Sequence, residues 1–173
     1  MNVLIAGPCA VGKSTLAKSL STQTGKKYLD FDELGLVDMA TRKGGILPFS
    51  KSGLNFKLSL LPIIEKISGE FILDIGGDTV FYSRANNNER LTQVLWLKKN
   101  YTISVFMLVA SREILFKRFA TSKNRKVSEF DDPWQDWITV GEPYWRQCSD
   151  IVIDTSLQAP EEICQQVKDF MAK

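Results

Sequence analysis

The stretch Gly7–Ser14 has the pattern Gly-x4-Gly-Lys-Ser, whose residue types and spacing could bind the phosphates of a nucleotide. Glycines allow the backbone to curl so that successive N–H groups point into one concavity. In such a loop Lys13 would reach the β- and γ-phosphates, and the Ser14 hydroxyl would hold Mg²⁺. The sequence therefore predicts a site for ATP and Mg²⁺. Its predicted nucleotide-binding residues are Gly7, Ala10, Val11, Gly12, Lys13, Ser14 and Thr15.

The elements on either side of this loop favour a phosphate site over a glycine-rich turn that binds nothing. Residues 2–6 are apolar and β-branched, which predicts a buried strand. Residues 15–20 are typical of the start of a helix, whose N-terminus carries a partial positive charge. Strand, glycine-bounded loop and helix together form the context in which the pattern indicates a site.

Two carboxylates follow the second predicted strand. Asp30 and Asp32 stand at i and i+2, so in an extended segment both would point the same way. Beside a bound nucleotide, one could hold a water on Mg²⁺ while the other orients and deprotonates an attacking hydroxyl. The alternative is that Asp32 caps the following helix and Asp30 is a surface residue.

A third carboxylate, Asp74, follows the apolar run 71–73. An acidic residue at the end of a hydrophobic strand is a candidate metal ligand beside a phosphate loop. Glycines after it would allow a ligand to approach the backbone closely. Asp78 is the alternative at this position, and the sequence alone leaves the choice open.

A basic segment later in the chain is the candidate for a closing lid. Arg118 lies near the end of a predicted helix, and Arg125 lies in the charged loop 123–132. Such a loop is either solvated surface or a lid whose arginine neutralises charge on a transferred phosphoryl group. The phosphate loop upstream favours the lid.

Composition limits the remaining possibilities. The 173 residues suffice for one domain, and a net charge of +2 does not indicate a nucleic-acid or membrane partner. No histidine is present, so histidine acid–base catalysis is excluded. The start of the chain is not typical of a signal peptide. Three cysteines without metal-ligand spacing indicate free thiols and a cytoplasmic location.

The order of predicted elements indicates an α/β fold. Short apolar runs at residues 2–6, 27–29, 71–73, 103–109 and 151–153 alternate with helical patterns. This alternation predicts a three-layer α/β/α sandwich around a five-stranded parallel sheet. Helices are expected at 13–23, from about 33, within 54–67, and at 89–98, 112–119, 134–143 and 161–171. Ligands on such sheets bind beyond the carboxyl ends of the strands.

These motifs together resemble shikimate kinase and its relatives among the small P-loop kinases. The resemblance rests on the phosphate loop, on Asp30-Phe31-Asp32, on Ile75-Gly76-Gly77, on the Arg118 to Arg125 spacing and on Pro143-Tyr144. It covers nearly the whole chain and implies a single P-loop kinase domain over 1–173. A substrate region is implied at about 31–65 and a lid at about 120–135.

The resemblance also implies roles for individual residues. Asp30 would support Mg²⁺ through water, and Asp32 would bind the substrate hydroxyl and act as base. Gly76 and Gly77 would lie near the substrate, and Arg125 would be the lid arginine. Arg118 and the segment from Asp154 to Pro160 would border the adenine.

The sequence departs from the family pattern where an acidic acceptor would bind. Asp78 replaces the family's third glycine, and Lys57 follows Phe56 where the family usually has a substrate-binding arginine. Gly141 occupies the position of a second carboxylate-binding arginine. Lysine and glycine do not reproduce a bidentate guanidinium clamp, although Lys57, Arg42 or Arg146 could compensate. Aromatic residues between Trp134 and Trp145 are either core or the lining of a pocket for a larger, less acidic acceptor.

The leading interpretation is an ATP-dependent kinase, monomeric or weakly dimeric, that phosphorylates a hydroxyl of a small molecule. Kinases of nucleosides, nucleotides or antibiotic hydroxyls are alternatives within the same class. A nucleotide-binding regulator or an ATPase that drives a partner is the alternative from another class. ATP turnover that depends on a hydroxylated acceptor would indicate a kinase, whereas hydrolysis that no acceptor stimulates would favour a regulator or an ATPase.

Overall fold

The five strands form one parallel sheet. The computed structural model describes residues 1–31, 33, 64–65, 67–81, 87–123, 134–135 and 137–172. The strands are β1 (Asn2–Gly7), β2 (Lys27–Asp30), β3 (Phe71–Gly76), β4 (Ile103–Val109) and β5 (Ile151–Asp154). Their order is β2-β3-β1-β4-β5, and every neighbouring pair is parallel. The predicted five-stranded parallel sheet is therefore confirmed.

Helices connect and cover the strands. They are α1 (Lys13–Thr24), α2 (Gly77–Val80), α3 (Asn87–Tyr101), α4 (Arg112–Lys123), α5 (Glu142–Cys148) and α6 (Pro160–Met171), with a π-helical turn at Trp137–Gly141 before α5. None of the helices in these described ranges has the length and apolar character that crossing a bilayer requires.

Each face of the sheet carries its own apolar cluster, as expected for a parallel sheet covered on both sides. On one face, Leu4, Leu73 and Val105 pack with residues of α3 and α5. On the other, Ile5 and Phe106 pack with residues of α1 and α6. The alternation along each strand sends successive side chains to opposite clusters. This arrangement confirms the predicted α/β/α layers.

The element boundaries correct the sequence prediction in two places. The third strand runs through Asp74 to Gly76, so Asp74 lies within β3 and is buried. Pro143 does not end a helix but stands in the first turn of α5, where its missing N–H has no helical partner to lose. The helices expected from about residue 33 and within 54–67 lie mostly outside the described residues.

The topology brings the predicted functional segments to one edge of the sheet. Because all strands are parallel, Gly7, Asp30 and Gly76 end β1, β2 and β3 at the same edge. In the register, Gly7 lies opposite Gly76 and Asp30 lies opposite Asp74. The edge therefore collects the phosphate loop, two carboxylates and the glycine turn.

Candidate active site

The phosphate loop has a backbone that only small residues permit. A Cβ on Gly7 would lie 2.6 Å from the carbonyl oxygen of Leu108, and Gly12 has a left-handed φ of 103°. Ala10 also has a positive φ, 65°, which is costly for a residue with a side chain. Helix α1 begins directly after Gly12, so its free N–H groups face the loop. This geometry is that of an anion-binding concavity.

The two polar side chains of the motif are held by specific partners. Lys13 Nζ donates to the carbonyl oxygen of Pro8 at 3.1 Å, within its own loop. The Ser14 hydroxyl donates to Oδ2 of Asp74 at 2.5 Å. The hydroxyl of Ser14 and the carboxylate of Asp74 are therefore in direct contact, although they are sixty positions apart in sequence.

A second carboxylate and a phenol adjoin this pair. Asp30 is the register partner of Asp74 on the neighbouring strand. The Tyr28 hydroxyl donates to Oδ2 of Asp30 at 3.4 Å. Burial and the two nearby carboxylates raise the pKa of Tyr28 to about 12, so the phenol stays protonated and remains a donor.

The buried carboxyl of Asp74 has a raised pKa. Its side chain is 5% exposed, and desolvation raises its pKa above the ordinary value. The Ser14 hydrogen bond and the charge of Lys13 oppose this rise, whereas the charge of Asp30 adds to it. The carboxyl therefore ionises less readily than an exposed one. A nearby cation would lower its pKa and stabilise the ionised form.

These oxygen donors fit Mg²⁺. Mg²⁺ takes oxygen ligands and is usually held by one or two carboxylates together with substrate phosphates and water. Ser14 and Asp74 offer two such oxygens, and Asp30 adds a carboxylate beside them. Within the described ranges no group of three or more acidic, histidine or cysteine side chains forms a closed metal cage. The donor set suits an ion that is shared with a nucleotide.

A cavity of about 260 Å³ lies on the α4 and α6 side of the phosphate loop. It brings together six of the predicted nucleotide-binding residues, Ala10, Val11, Gly12, Thr15, Arg118 and Pro160. Leu108 and Ile163 supply apolar walls of the cavity, and the sequence motifs do not indicate them. Their positions near the end of β4 and on α6 are the features that could have pointed to them. A predominantly apolar cavity beside an anion-binding loop suits a nucleoside.

Arg118 fixes one wall of this cavity. Its guanidinium donates to the hydroxyl of Thr155 at 2.9 Å and to the carbonyl of Thr155 at 2.6 Å. The Thr155 hydroxyl in turn donates to the carbonyl of Val11 at 3.1 Å. This chain of contacts ties α4 and the segment after β5 to the phosphate loop.

The glycine turn after β3 is covered by aromatic rings. A Cβ on Gly77 would lie 2.2 Å from Trp137 Cε3, so the ring rests directly on the backbone. A Cβ on Gly141 would lie 3.2 Å from the Gly77 carbonyl oxygen and equally close to that ring. The indole N–H of Trp145 donates to the Gly77 carbonyl at 2.9 Å. Position 141 therefore packs against backbone and contributes no cation.

The aromatic cluster belongs to the core. Trp134, Trp137 and Trp145 are all buried, which answers the question whether they are core or pocket lining. Arg146, a candidate to replace a missing arginine, pairs instead with Glu142 one turn earlier on α5. Neither feature supplies a carboxylate clamp.

Three predicted site residues, Asp32, Lys57 and Arg125, lie outside the described residues. Phe31 is already helical, so the extended strand ends at Asp30. The structure adds contacts that the sequence did not reveal, from Tyr28 to Asp30 and from the Trp134 indole to the Cys9 carbonyl.

The parallel sheet, the phosphate loop and the paired serine and aspartate define a small P-loop phosphotransferase. A family model described as shikimate kinase matches residues 9–172 of the chain. The chain therefore belongs to the shikimate kinase family. Members of this class are ATP-dependent kinases that phosphorylate a hydroxyl group.

A curated relative agrees with this assignment, and two solved structures share the fold. The chain is 25% identical over 174 residues to the shikimate kinase of Acinetobacter baylyi, covering 96% of this chain and 89% of the relative. Its fold is similar to that of the Acinetobacter baumannii shikimate kinase solved with shikimate, with a TM-score of 0.66, 22% identity and coverage of 99% and 92%. It is also similar to the tunicamycin resistance protein of Deinococcus radiodurans, with a TM-score of 0.63, 16% identity and coverage of 98% and 95%.

Proposed function

We propose that this chain is an ATP- and Mg²⁺-dependent kinase that transfers the γ-phosphoryl group to a hydroxyl of a small, uncharged acceptor. The observation that carries the nucleotide half is the Ser14–Asp74 contact beside the phosphate loop. The observation that carries the acceptor half is the packing of Gly141 and Trp137 on Gly77. The chain acts as one domain over 1–173, with the substrate region at about 31–65 and the lid at about 120–135.

The nucleotide would lie across the loop with its base in the cavity bounded by Arg118 and Pro160. Lys13 would leave the Pro8 carbonyl to bind the β- and γ-phosphates. Ser14, Asp74 and, through water, Asp30 would hold Mg²⁺, which neutralises charge on the phosphates when bound. Positioning and charge neutralisation would then supply most of the rate.

The acceptor would be oriented by Asp32, which accepts its hydroxyl proton as the phosphoryl group is transferred. Gly76 and Gly77 would lie beside the acceptor, as the family pattern implies, and Lys57 would line the acceptor site. Arg125 of the lid would neutralise charge on the transferred group. These roles follow from the family pattern at matching positions.

An uncharged acceptor is favoured because neither described candidate for a carboxylate clamp, position 141 or Arg146, presents a guanidinium to a ligand. Gly141 faces backbone and an indole ring, and Arg146 is occupied by Glu142. A bidentate clamp is the usual way to bind a carboxylate tightly, and lysine at position 57 would provide only a point charge.

The test compares two sets of acceptors in an ATP-turnover assay. One set is carboxylated, with shikimate, quinate and gluconate; the other is uncharged, with polyols, sugars, nucleosides and hydroxylated antibiotics such as tunicamycin. The proposal expects an uncharged compound to give a kcat/KM at least about tenfold above that of every carboxylated one. A carboxylated acceptor that outperforms all the others would overturn the acceptor class and leave the kinase assignment intact.

A further inference from the structure

Two fully buried indoles each donate a hydrogen bond to a loop at the ligand-binding edge of the sheet. Trp134 Nε1 donates to the Cys9 carbonyl in the phosphate loop at 3.0 Å. Trp145 Nε1 donates to the Gly77 carbonyl in the glycine turn at 2.9 Å. Both side chains are 0% exposed. The two residues are therefore matched in burial and bonding but differ in the loop that they hold.

The Trp134 bond acts on the peptide unit that precedes Ala10. In a trans peptide the C=O of one residue and the N–H of the next point in opposite directions within one plane. A bond that fixes the Cys9 carbonyl toward Trp134 therefore aims the Ala10 N–H away from it. That N–H belongs to the run of loop amides that a phosphate would meet.

The backbone at this point needs such support. Ala10 has a φ of 65°, in the left-handed region that residues with a side chain rarely adopt. Conformations of this kind persist where surrounding contacts over-determine them. The Trp134 bond lies on the peptide directly before the strained residue.

Trp134 is itself packed against two aromatic rings. Its ring packs edge-on against Phe119 at 5.7 Å and at a tilt against Phe116 at 5.6 Å between ring centroids. Both phenylalanines lie on α4, the helix that carries Arg118. The indole therefore connects the helix at the nucleoside cavity with the tip of the phosphate loop.

We propose that Trp134 is a positioning residue for the nucleotide phosphates, because its indole N–H orients the peptide between Cys9 and Ala10. This inference rests on the nucleotide half of the proposed function and is independent of the acceptor. It assigns Trp134 a role in binding that a purely apolar core residue lacks.

The first test replaces each indole with a phenyl ring, which keeps an aromatic side chain, removes the N–H donor and loses the same volume at both positions. Trp134→Phe should weaken ADP binding about fivefold to tenfold, because a loop carbonyl loses its partner. Trp145→Phe should change ADP affinity less than about twofold, since it loses an equivalent bond at the glycine turn. Calorimetric titration measures both affinities, and melting curves check that each variant is folded. Equal losses in the two variants would overturn the proposal, as would unchanged ADP affinity in folded Trp134→Phe.

A second measurement uses the native protein and so does not depend on the variant folding. The four tryptophans give indole N–H signals in a ¹H–¹⁵N spectrum. On titration with ADP, the Trp134 indole and the Ala10 amide should shift together with one dissociation constant, while the Trp145 indole stays nearly fixed. An unresponsive Trp134 signal at saturating ADP would contradict the proposal. Failure of the native protein to bind ADP would instead contradict the proposed function.

Discussion

The hydroxyl of Ser14 donates a 2.5 Å hydrogen bond to Oδ2 of Asp74 and so joins the start of α1 to the interior of β3. A phosphate-loop hydroxyl and a buried carboxylate are thereby placed where a metal ion and the β- and γ-phosphates would meet. The sheet register makes this possible, because Asp74 lies opposite Asp30 on one side and Ile5 of β1 on the other.

Asp74→Asn should separate stability from activity. Burial raises the pKa of Asp74 in the folded protein, so ionisation of this carboxyl destabilises the fold as pH rises through the raised pKa. The amide avoids that cost and can still accept from Ser14. We expect the melting temperature of the ligand-free variant to exceed that of the native protein at pH 7 by about 2–4 °C, and phosphoryl transfer to fall at least about 100-fold.

The pH dependence provides the control for that prediction. Near pH 3 Asp74 is protonated in both states, so the two melting temperatures should converge. A gap that is the same at pH 3 and pH 7 would show that the substitution acts through packing. Native-like turnover by Asp74→Asn would remove this carboxylate from the metal site.

Arg118→Lys should impair nucleotide binding specifically. Lysine keeps the charge but cannot make both contacts of the guanidinium with Thr155. We expect the KM for ATP to rise about fivefold to tenfold, with the KM for the acceptor nearly unchanged. Arg112→Lys, the same change at the exposed start of α4, is the matched control and should alter neither constant. Equal effects from both substitutions would argue against a nucleoside site at this cavity.

Tyr28→Phe should raise the Mg²⁺ requirement. The phenol donates to Asp30, and its pKa of about 12 keeps it protonated at neutral pH. Without it, Asp30 loses a fixed partner, and we expect the Mg²⁺ concentration for half-maximal activity to rise about threefold to fivefold. Direct titration with Mn²⁺ in the presence of ADP should show the same loss of affinity.

Tyr101→Phe is the matched control for Tyr28. Tyr101 also donates to a carboxylate at 3.4 Å, that of Glu65. It lies at the end of α3, where its carbonyl accepts from Asn2 at the start of β1, the end of that strand remote from the phosphate loop. The substitution should leave the Mg²⁺ dependence unchanged. If Tyr28→Phe has native affinities for Mg²⁺ and Mn²⁺, the Tyr28 hydroxyl does not contribute to metal binding and the side chain acts only through packing.

Asp32→Asn should retain nucleotide binding and lose phosphoryl transfer, because only proton acceptance from the substrate hydroxyl is removed. We expect ADP affinity within about twofold of native and turnover reduced at least about 100-fold. Lys13→Ala is the contrasting variant and should lose both, since Lys13 contacts the phosphates themselves. Full turnover by Asp32→Asn would exclude it as the base.

Much of the fold can be predicted from the sequence because local patterns determine where strands and helices form. Short apolar runs specify buried parallel strands, and the β4 boundaries at Ile103 and Val109 were predicted as observed. Helix α1 ends before Gly25, a glycine at the position where helices commonly have one, and its N–H bonds to the Ser21 carbonyl.

Other features depended on contacts between segments distant in sequence. Pro143 was expected to end a helix but stands in the first turn of α5, because proline is equally compatible with a helix start. The Trp134–Cys9 bond joins residues 125 positions apart, and no local pattern indicates it. Likewise, the pairing of Ser14 with Asp74 depends on β3 running through Asp74 to Gly76, whereas the apolar run in the sequence ends at residue 73.

The most direct test of the central claim is whether ATP turnover by the purified protein depends on a hydroxylated acceptor. ATP, Mg²⁺ and each acceptor are incubated with the native protein and with Lys13→Ala, and products are followed by ³¹P NMR and mass spectrometry. The account predicts at least one acceptor that stimulates ATP consumption and gains one phosphoryl group on a hydroxyl, with no product from Lys13→Ala. ATP hydrolysis that no acceptor stimulates, with no phosphorylated product, would contradict it and favour an ATPase.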